Sequence, residues 1–246
     1  MFTVEARDAL RSRVLEMARA DRRVVAAAEV GSLSVGAGDQ WSDVDLTFAV
    51  DDAVAVADVL DEWTADLVET GAVVLFDLSA GPSIYRVYMF PDCLQLDLSF
   101  TAASEFRPTS PRFRSIFGEP GEMRMHEVSP ASEILGWAVL WAHHARVCIE
   151  RRRWWQAEHA ISSMRERALA FACRRRDLPD EYGRGLEDLP SEARDRFESA
   201  LVPRIEPEVL VRSLKGCVAA LAAECADAVE IDRAVCDRLL DTIAGL

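Results

Sequence analysis

A chain of 246 residues, half of them hydrophobic and 28% charged, can form one large domain or two modest ones, each with a buried core. Its 12 Gly and 10 Pro are too few for collagen-like, low-complexity or disordered classes, and no run approaches the roughly 20 apolar residues that cross a bilayer. Acids outnumber bases 42 to 28, for a net charge of −14. The first twenty residues mix charges throughout and lack the apolar block of a signal peptide, so the expectation is a cytoplasmic protein with no membrane partner.

The charge is unevenly spread. Residues 1–128 carry 22 acids and 11 bases, whereas 129–246 carry 20 and 17. Between Val24 and Tyr85 there are twelve carboxylates and no Lys or Arg. Such a surface repels a phosphate backbone, so no nucleic-acid partner is expected; divalent cations or cationic small molecules suit it better. The six cysteines form no C-x-x-C pair, which predicts small hydrophobes in a reducing compartment.

In chain order, Val4, Ala6, Leu10, Val14, Met17 and Ala18 predict a helix over 3–20. Val24 to Val30 and Val44 to Val50 read as buried strands. Val56, Val59, Leu60, Trp63 and Leu67 predict a helix over 53–70, with Gly71 as its C-cap. Three β-rich runs follow, 72–78, 84–90 and 93–100, broken at Gly81-Pro82 and Pro91-Asp92. Residues 104–129, with Pro108, Pro111 and Pro120, read as a connecting segment. Helical periods then dominate, near 131–150, 154–176, 191–202, 207–226 and 231–244, separated by prolines. The expected fold is α+β: an N-terminal mixed sheet with flanking helices over 1–125, then an all-helical bundle over 126–246.

The chemistry concentrates after the first strand. Val30 runs into Gly31-Ser32, a glycine-rich turn follows through Ser42, and the next strand opens with Asp43-Val-Asp45. Residues i and i+2 of a strand share a face, so Asp43 and Asp45 project together. Two adjacent carboxylates oppose joint ionisation unless a cation lies between them, and an oxygen-only set with an open side matches Mg²⁺. Gly31 permits close backbone approach, and Ser32 offers a hydroxyl and an N–H to phosphate. A third carboxylate, Asp97, shares a strand face with Gln95 and Ser99, opposite Leu94, Leu96, Leu98 and Phe100.

Gly31-Ser32, Asp43-x-Asp45 and a later strand Asp97 resemble the nucleotidyltransferase superfamily of the DNA polymerase β type. The Trp-Ser-Asp-Val-Asp-Leu box and the helical second half look like bacterial aminoglycoside and lincosamide nucleotidyltransferases. That resemblance implies a catalytic domain over 1–125 and a substrate- and nucleotide-binding helical domain over 126–246. It implies transfer of a nucleoside monophosphate, AMP from ATP, onto a hydroxyl of a small, cationic acceptor such as an antibiotic, with two Mg²⁺ ions. Gly31, Ser32 and Ser42 would hold the nucleotide, Asp43 and Asp45 the metals, and Asp97 would be the third ligand or the general base. Many antibiotic-modifying relatives carry Glu at the base position, which leaves a base from the helical half open. On the helix over 154–176, Arg165 resembles a nucleotide-binding Arg, with Glu158 and Trp155 as acceptor contacts and Arg184 as a second nucleotide candidate.

Plainer readings compete. Asp43 and Asp45 could be an acidic turn on a solvated edge, and Arg165 a surface residue. From Arg146 to Arg176 there are nine Arg and three acids, which suits a triphosphate, yet Arg151–Arg153 and Arg174–Arg176 also read as solvated helix ends. His143, His144 and His159 read as helix-surface residues, and Trp137, Trp141, Trp154 and Trp155 as packing. A different functional class is a regulatory or antitoxin-like module that nucleotidylates or binds a protein partner. Recovering a modified partner by mass spectrometry would distinguish it.

Overall fold

The apolar runs of the first half pair into a six-stranded mixed sheet, while the 3.6-residue periods of the second half form helices, so the chain is α+β. A computed structural model describes residues 1–125, 128–226 and 233–246. The chain divides into two compact units, Met1–Glu127 and Val128–Leu246.

In the first unit, helix α1 (Val4–Ala20) leads into β1 (Val24–Val30) and the single turn α2 (Gly31–Ser34). Strand β2 (Val44–Val50), helix α3 (Val56–Glu69), β3 (Val73–Ala80), β4 (Ser83–Met89), β5 (Gln95–Ala102) and β6 (Phe113–Phe117) follow. The strand order is β3-β4-β5-β2-β1-β6. Only β2 and β5 run parallel; the remaining neighbours are antiparallel. One face buries Leu46, Phe48, Leu98 and Phe100 under Leu10 and Val14 of α1 and Val59, Leu60 and Trp63 of α3. The Phe48, Trp63 and Phe100 rings meet with centroids 5.1–5.2 Å apart. Each such side chain contributes about 1.5–3 kcal/mol by burial. The Trp63 indole N–H donates to the Asp21 carboxylate at 3.0 Å. Asp21 also accepts from Arg23, whose guanidinium holds its carboxyl down to about 2.

Two expectations fail in this unit. The segment 104–129 is more than a connection, because it contains β6, which closes the sheet edge against β1. Five residues among prolines give too short an alternation to stand out. The strand is secured by Phe113 packing on Ala26, Ala28, Ala49 and Phe106, and by the Arg114 guanidinium donating to Glu29. Glu29 itself is a buried carboxylate within an apolar run, held from α1 by Arg11 as well. The helix expected over 53–70 begins only at Val56, after the Asp51 carboxylate turns the chain by accepting from the Ala53 N–H.

The second unit comprises α4 (Ala131–Glu150), α5 (Trp154–Arg174), α6 (Ser191–Asp195), α7 (Pro207–Ala226) and α8 (Arg233–Asp241). Ala138, Ala142, Ala145, Ala157, Ala160 and Ala168 are buried between helices, around Ile161, Met164, Phe171, Leu210, Leu214 and Leu221. The helix expected over 191–202 splits into α6 and a 3₁₀ turn at Glu198–Ala200. Of the helix expected over 231–244, residues 231 and 232 lie outside the described residues. Cys173, Cys217 and Cys225 are buried free thiols, and burial pushes those of Cys217 and Cys225 up to about 12. Trp141 packs against the core with its ring edge-on to His144 and His159, but Trp137 and Trp155 are exposed, not packed. No described helix is long and apolar enough to cross a membrane.

The basic run at the end of α5 is no solvated helix end. Glu224 of α7 is 1% exposed and meets Arg175 at 3.1 Å, Arg176 at 2.8 Å and Arg196 at 3.5 Å. Arg174 pairs with Asp180 at 2.5 Å. Removing one partner of a buried ion cluster leaves the others desolvated without compensation. Glu224→Ala should therefore cost about 3–5 kcal/mol. Urea unfolding followed by far-ultraviolet circular dichroism would measure it, with Glu187→Ala, at an exposed pair, changing stability by less than about 0.5 kcal/mol.

Candidate functional site

The site begins where β1 runs out. Gly31 has φ +70°, and a Cβ built there would lie 2.1 Å from Oδ2 of Asp45. Only glycine lets the strand end turn this way while the Asp45 carboxylate rests against its Cα. One turn of helix follows, with the Ser34 hydroxyl donating to the Gly31 carbonyl at 2.8 Å and the Ala37 N–H to that of Ser32 at 3.1 Å.

The loop back to β2 is held by its own polar groups. The Asp39 carboxylate accepts from the Trp41 N–H at 2.8 Å and the Ser42 hydroxyl at 3.1 Å. Those bonds, the Trp41 N–H foremost, lower its pKa. The Asp39 N–H donates to Ser42 Oγ at 2.9 Å, and the Ser32 hydroxyl donates to the same oxygen at 3.1 Å. Arg7, buried on α1, donates to the Asp39 carbonyl at 2.6 Å. Thus Ser32 and Ser42, ten residues apart, face each other across the mouth of the loop.

Asp43 immediately precedes β2, and Asp45 lies on it two residues later. The parallel ladder sets Asp45 directly beside Asp97 of β5. Ligand oxygens of Asp43, Asp45 and Asp97 all lie within 4.8 Å of one another, and each residue is partly exposed. Gln95, on the same face as Asp97, donates its amide to both Asp97 oxygens at 2.9 and 3.1 Å. Burial raises the Asp97 pKa; the Gln95 bond opposes this, and the Asp43 charge reinforces it. Three hard oxygen donors, each partly exposed, suit a divalent cation of the Mg²⁺ type, and Gly31 lets the Asp45 carboxylate take its place in the set.

Of the sequence expectations, Asp43, Asp45 and Asp97 therefore converge, Gly31 lies against Asp45, and Ser32 meets Ser42 in the loop that leads into β2. The second-unit candidates stand in their own unit. There the Ser162 hydroxyl donates to Glu158 at 2.6 Å, and Arg165 donates to Ser162 at 3.2 Å and to the Ala200 carbonyl at 3.0 Å. Trp155 is exposed on α5, and the Arg184 guanidinium stacks over Tyr182 at 5.2 Å. Arg7, Asp39 and Gln95 were not singled out from sequence. Asp39 was readable, since Asp-x-x-Ser is a turn-forming spacing; Gln95 shared the strand face of Asp97.

Two outcomes follow. Gly31→Ala should lose about 1–2 kcal/mol from the left-handed backbone alone and displace Asp45, weakening Mn²⁺ binding at least tenfold by electron paramagnetic resonance titration. Asp97→Asn should raise the melting temperature of metal-free protein at pH 7. A carboxyl whose folded pKa is raised favours the fold only while protonated, and that contribution is lost as pH rises through the folded pKa. The gain should shrink as pH falls towards 4 in a calorimetric series.

No family model matches the chain, and no curated protein does. Among solved structures, it is similar to an aminoglycoside 6-adenyltransferase from Bacillus subtilis, at 12% identity and TM-score 0.35 over 94% of this chain and 89% of that one. It is also similar to a nucleotidyltransferase-like protein from Exiguobacterium sibiricum 255-15, at 13% identity and TM-score 0.39 over 95% of this chain and 78% of that one. At this degree of superposition, the chemistry rests on the carboxylate site itself.

Proposed function

We propose that the chain is a Mg²⁺-dependent nucleotidyltransferase that moves a nucleoside monophosphate, AMP from ATP, onto a hydroxyl of a small molecule. The observation that carries this reading is the convergence of Asp43, Asp45 and Asp97 beside Gly31 and Ser32. Three carboxylates within 4.8 Å of one another make an oxygen donor set for divalent cations, and the glycine at the neighbouring strand end lets Asp45 join it.

Asp43 and Asp45 would hold the two ions, with Asp97 at the edge of the set. When bound, divalent cations neutralise the carboxylates and stabilise charge on phosphate oxygens. The Ser32 hydroxyl and backbone, with Ser42 behind it, would orient the triphosphate. The acceptor oxygen bonds to the α-phosphorus, the bond to the bridging oxygen breaks, and pyrophosphate leaves with the electron pair. Asp97 would receive the hydroxyl proton, and Gln95 keeps its carboxylate turned to the site. The acceptor in this reading is a hydroxylated antibiotic.

The test is thermal unfolding with ATP, GTP, CTP and UTP, each with and without Mg²⁺. At 100 times its dissociation constant a ligand adds about 2.7 kcal/mol, a shift of several degrees for a chain of this size. ATP with Mg²⁺ should give that shift, and Asp43→Asn/Asp45→Asn should abolish it. A flat response to all four nucleotides with Mg²⁺ would reject the proposal. Mass spectrometry of hydroxylated antibiotics incubated with enzyme, ATP and Mg²⁺ then tests the acceptor; no adenylylated product would remove the antibiotic version.

A further inference from the structure

The sheet face that carries the carboxylates does not stop at Asp97. In antiparallel pairing, residues directly opposite each other point to the same face. Val87 of β4 is the cross-strand partner of Asp97, and Phe76 of β3 is the partner of Val87. One row along, Ser99 of β5 faces Tyr85, which faces Leu78. At roughly 4.8 Å per strand, Phe76 lies about 10 Å to the side of Asp97. Met89 extends the same face beside Gln95.

These five neighbours are Val, Tyr, Met, Phe and Leu, and none carries a charge. Val87 is buried, Tyr85 and Met89 are half-buried, and Phe76 and Leu78 are 49% and 56% exposed. The charged groups of this hairpin lie on the opposite face. There Arg86 bonds Asp77 at 2.7 Å, Asp61 at 2.9 Å and Thr64 at 2.8 Å, beside Tyr88. An uncharged apron on one side of an acidic cluster is a directional feature. Gly31 and Ser32 lie on the other side, beyond β2, so the nucleotide and the apron flank the three carboxylates from opposite directions.

We infer that the β3–β4 apron is the acceptor subsite, and that the acceptor presents an apolar or aromatic face next to its reacting hydroxyl. This rests on the nucleotidyltransferase reading and names its substrate class. A molecule with its hydroxyl at Asp97 and its apolar face over Val87, Tyr85, Phe76 and Leu78 spans the 10 Å that the strands provide. A polycationic sugar gains nothing from these side chains, since its ammonium groups would lose water against a surface that offers no anion. Beyond Asp43, Asp45 and Asp97, the acidic surplus of the first half acts at longer range and does not line the apron.

The probes are methyl, hexyl and phenyl β-D-glucoside, which share hydroxyls and differ in apolar face, together with kanamycin as a polycation. Binding to the full chain with Mg²⁺ and a non-hydrolysable ATP analogue is followed by isothermal titration calorimetry. Hexyl and phenyl glucoside should bind at least tenfold more tightly than the methyl compound and than kanamycin. Phe76→Ser/Leu78→Ser should reduce that preference to within twofold, whereas Val74→Ser, on the opposite face of the same strand, should preserve it. Equal binding of the three glucosides, or tighter binding of kanamycin, overturns the inference. So does a double variant that keeps the preference, or one that changes only the oligomeric state, which would make the apron a contact between copies. A normal thermal shift with Mg²⁺ and ATP in the same samples separates failure of the subsite from failure of the nucleotidyltransferase reading.

Discussion

Seven consecutive residue pairs of a parallel ladder, from Val44 with Leu96 to Val50 with Ala102, hold three like charges where they would not otherwise stay. Like charges this close repel one another. The opposing force is on the other side of the same strands. Leu46, Phe48, Leu98 and Phe100 alternate with the acids and are sealed under α1 and α3. Hydrophobic burial on one face thus sets the position of charge on the other. Gly31 completes the arrangement, since any side chain there would occupy the place of the Asp45 carboxylate.

Much of this was legible in the sequence because period-2 alternation is a local signal. Asp43-Val-Asp45 and Gln95-Leu-Asp97 each announce a shared face from neighbouring residues alone. The pairing of β2 with β5 is non-local, and Asp97 could be joined to the other two only through the chemistry of an acid on an otherwise apolar strand, which needs a partner or a metal. Strand β6 escaped because five residues between prolines give no period, and its place depends on Glu29 and on Phe113 meeting a small alanine patch. The tether from Arg7 to the Asp39 carbonyl was beyond reach, since a backbone acceptor leaves no residue-type signature.

Charge runs proved a weaker guide than alternation. The Arg-rich stretch from 146 to 176 looked like a reservoir of cations for phosphate, but much of it is spent within its own unit. Arg146 donates to the carbonyls of Asp241, Thr242 and Ala244, and Arg174, Arg175 and Arg176 meet Asp180 and Glu224. Arg165, too, bonds a backbone carbonyl. Glu224 lies 48 residues beyond Arg176, Asp180 falls just past the stretch and the other acceptors are backbone carbonyls, so a window on the stretch alone counts the cations and misses their partners.

The two units also differ in the order in which their contacts can form. In the second, α4 and α5 are adjacent in sequence and meet by closing a short turn, so their packing involves little loop-closure entropy. In the first, the bond between Ser99 and Thr47 joins residues 52 positions apart, and β1 waits for β6. Non-local pairing of this kind forms slowly. The repulsion of Asp97 by Asp43 and Asp45 therefore arises only when β5 pairs with β2, whereas Asp43 and Asp45 are neighbours along the chain from the start. Divalent ions that offset this repulsion would favour the pairing of β5 with β2 as well as the binding of ligand, so that folding of this sheet and occupation of its site share one chemical cause.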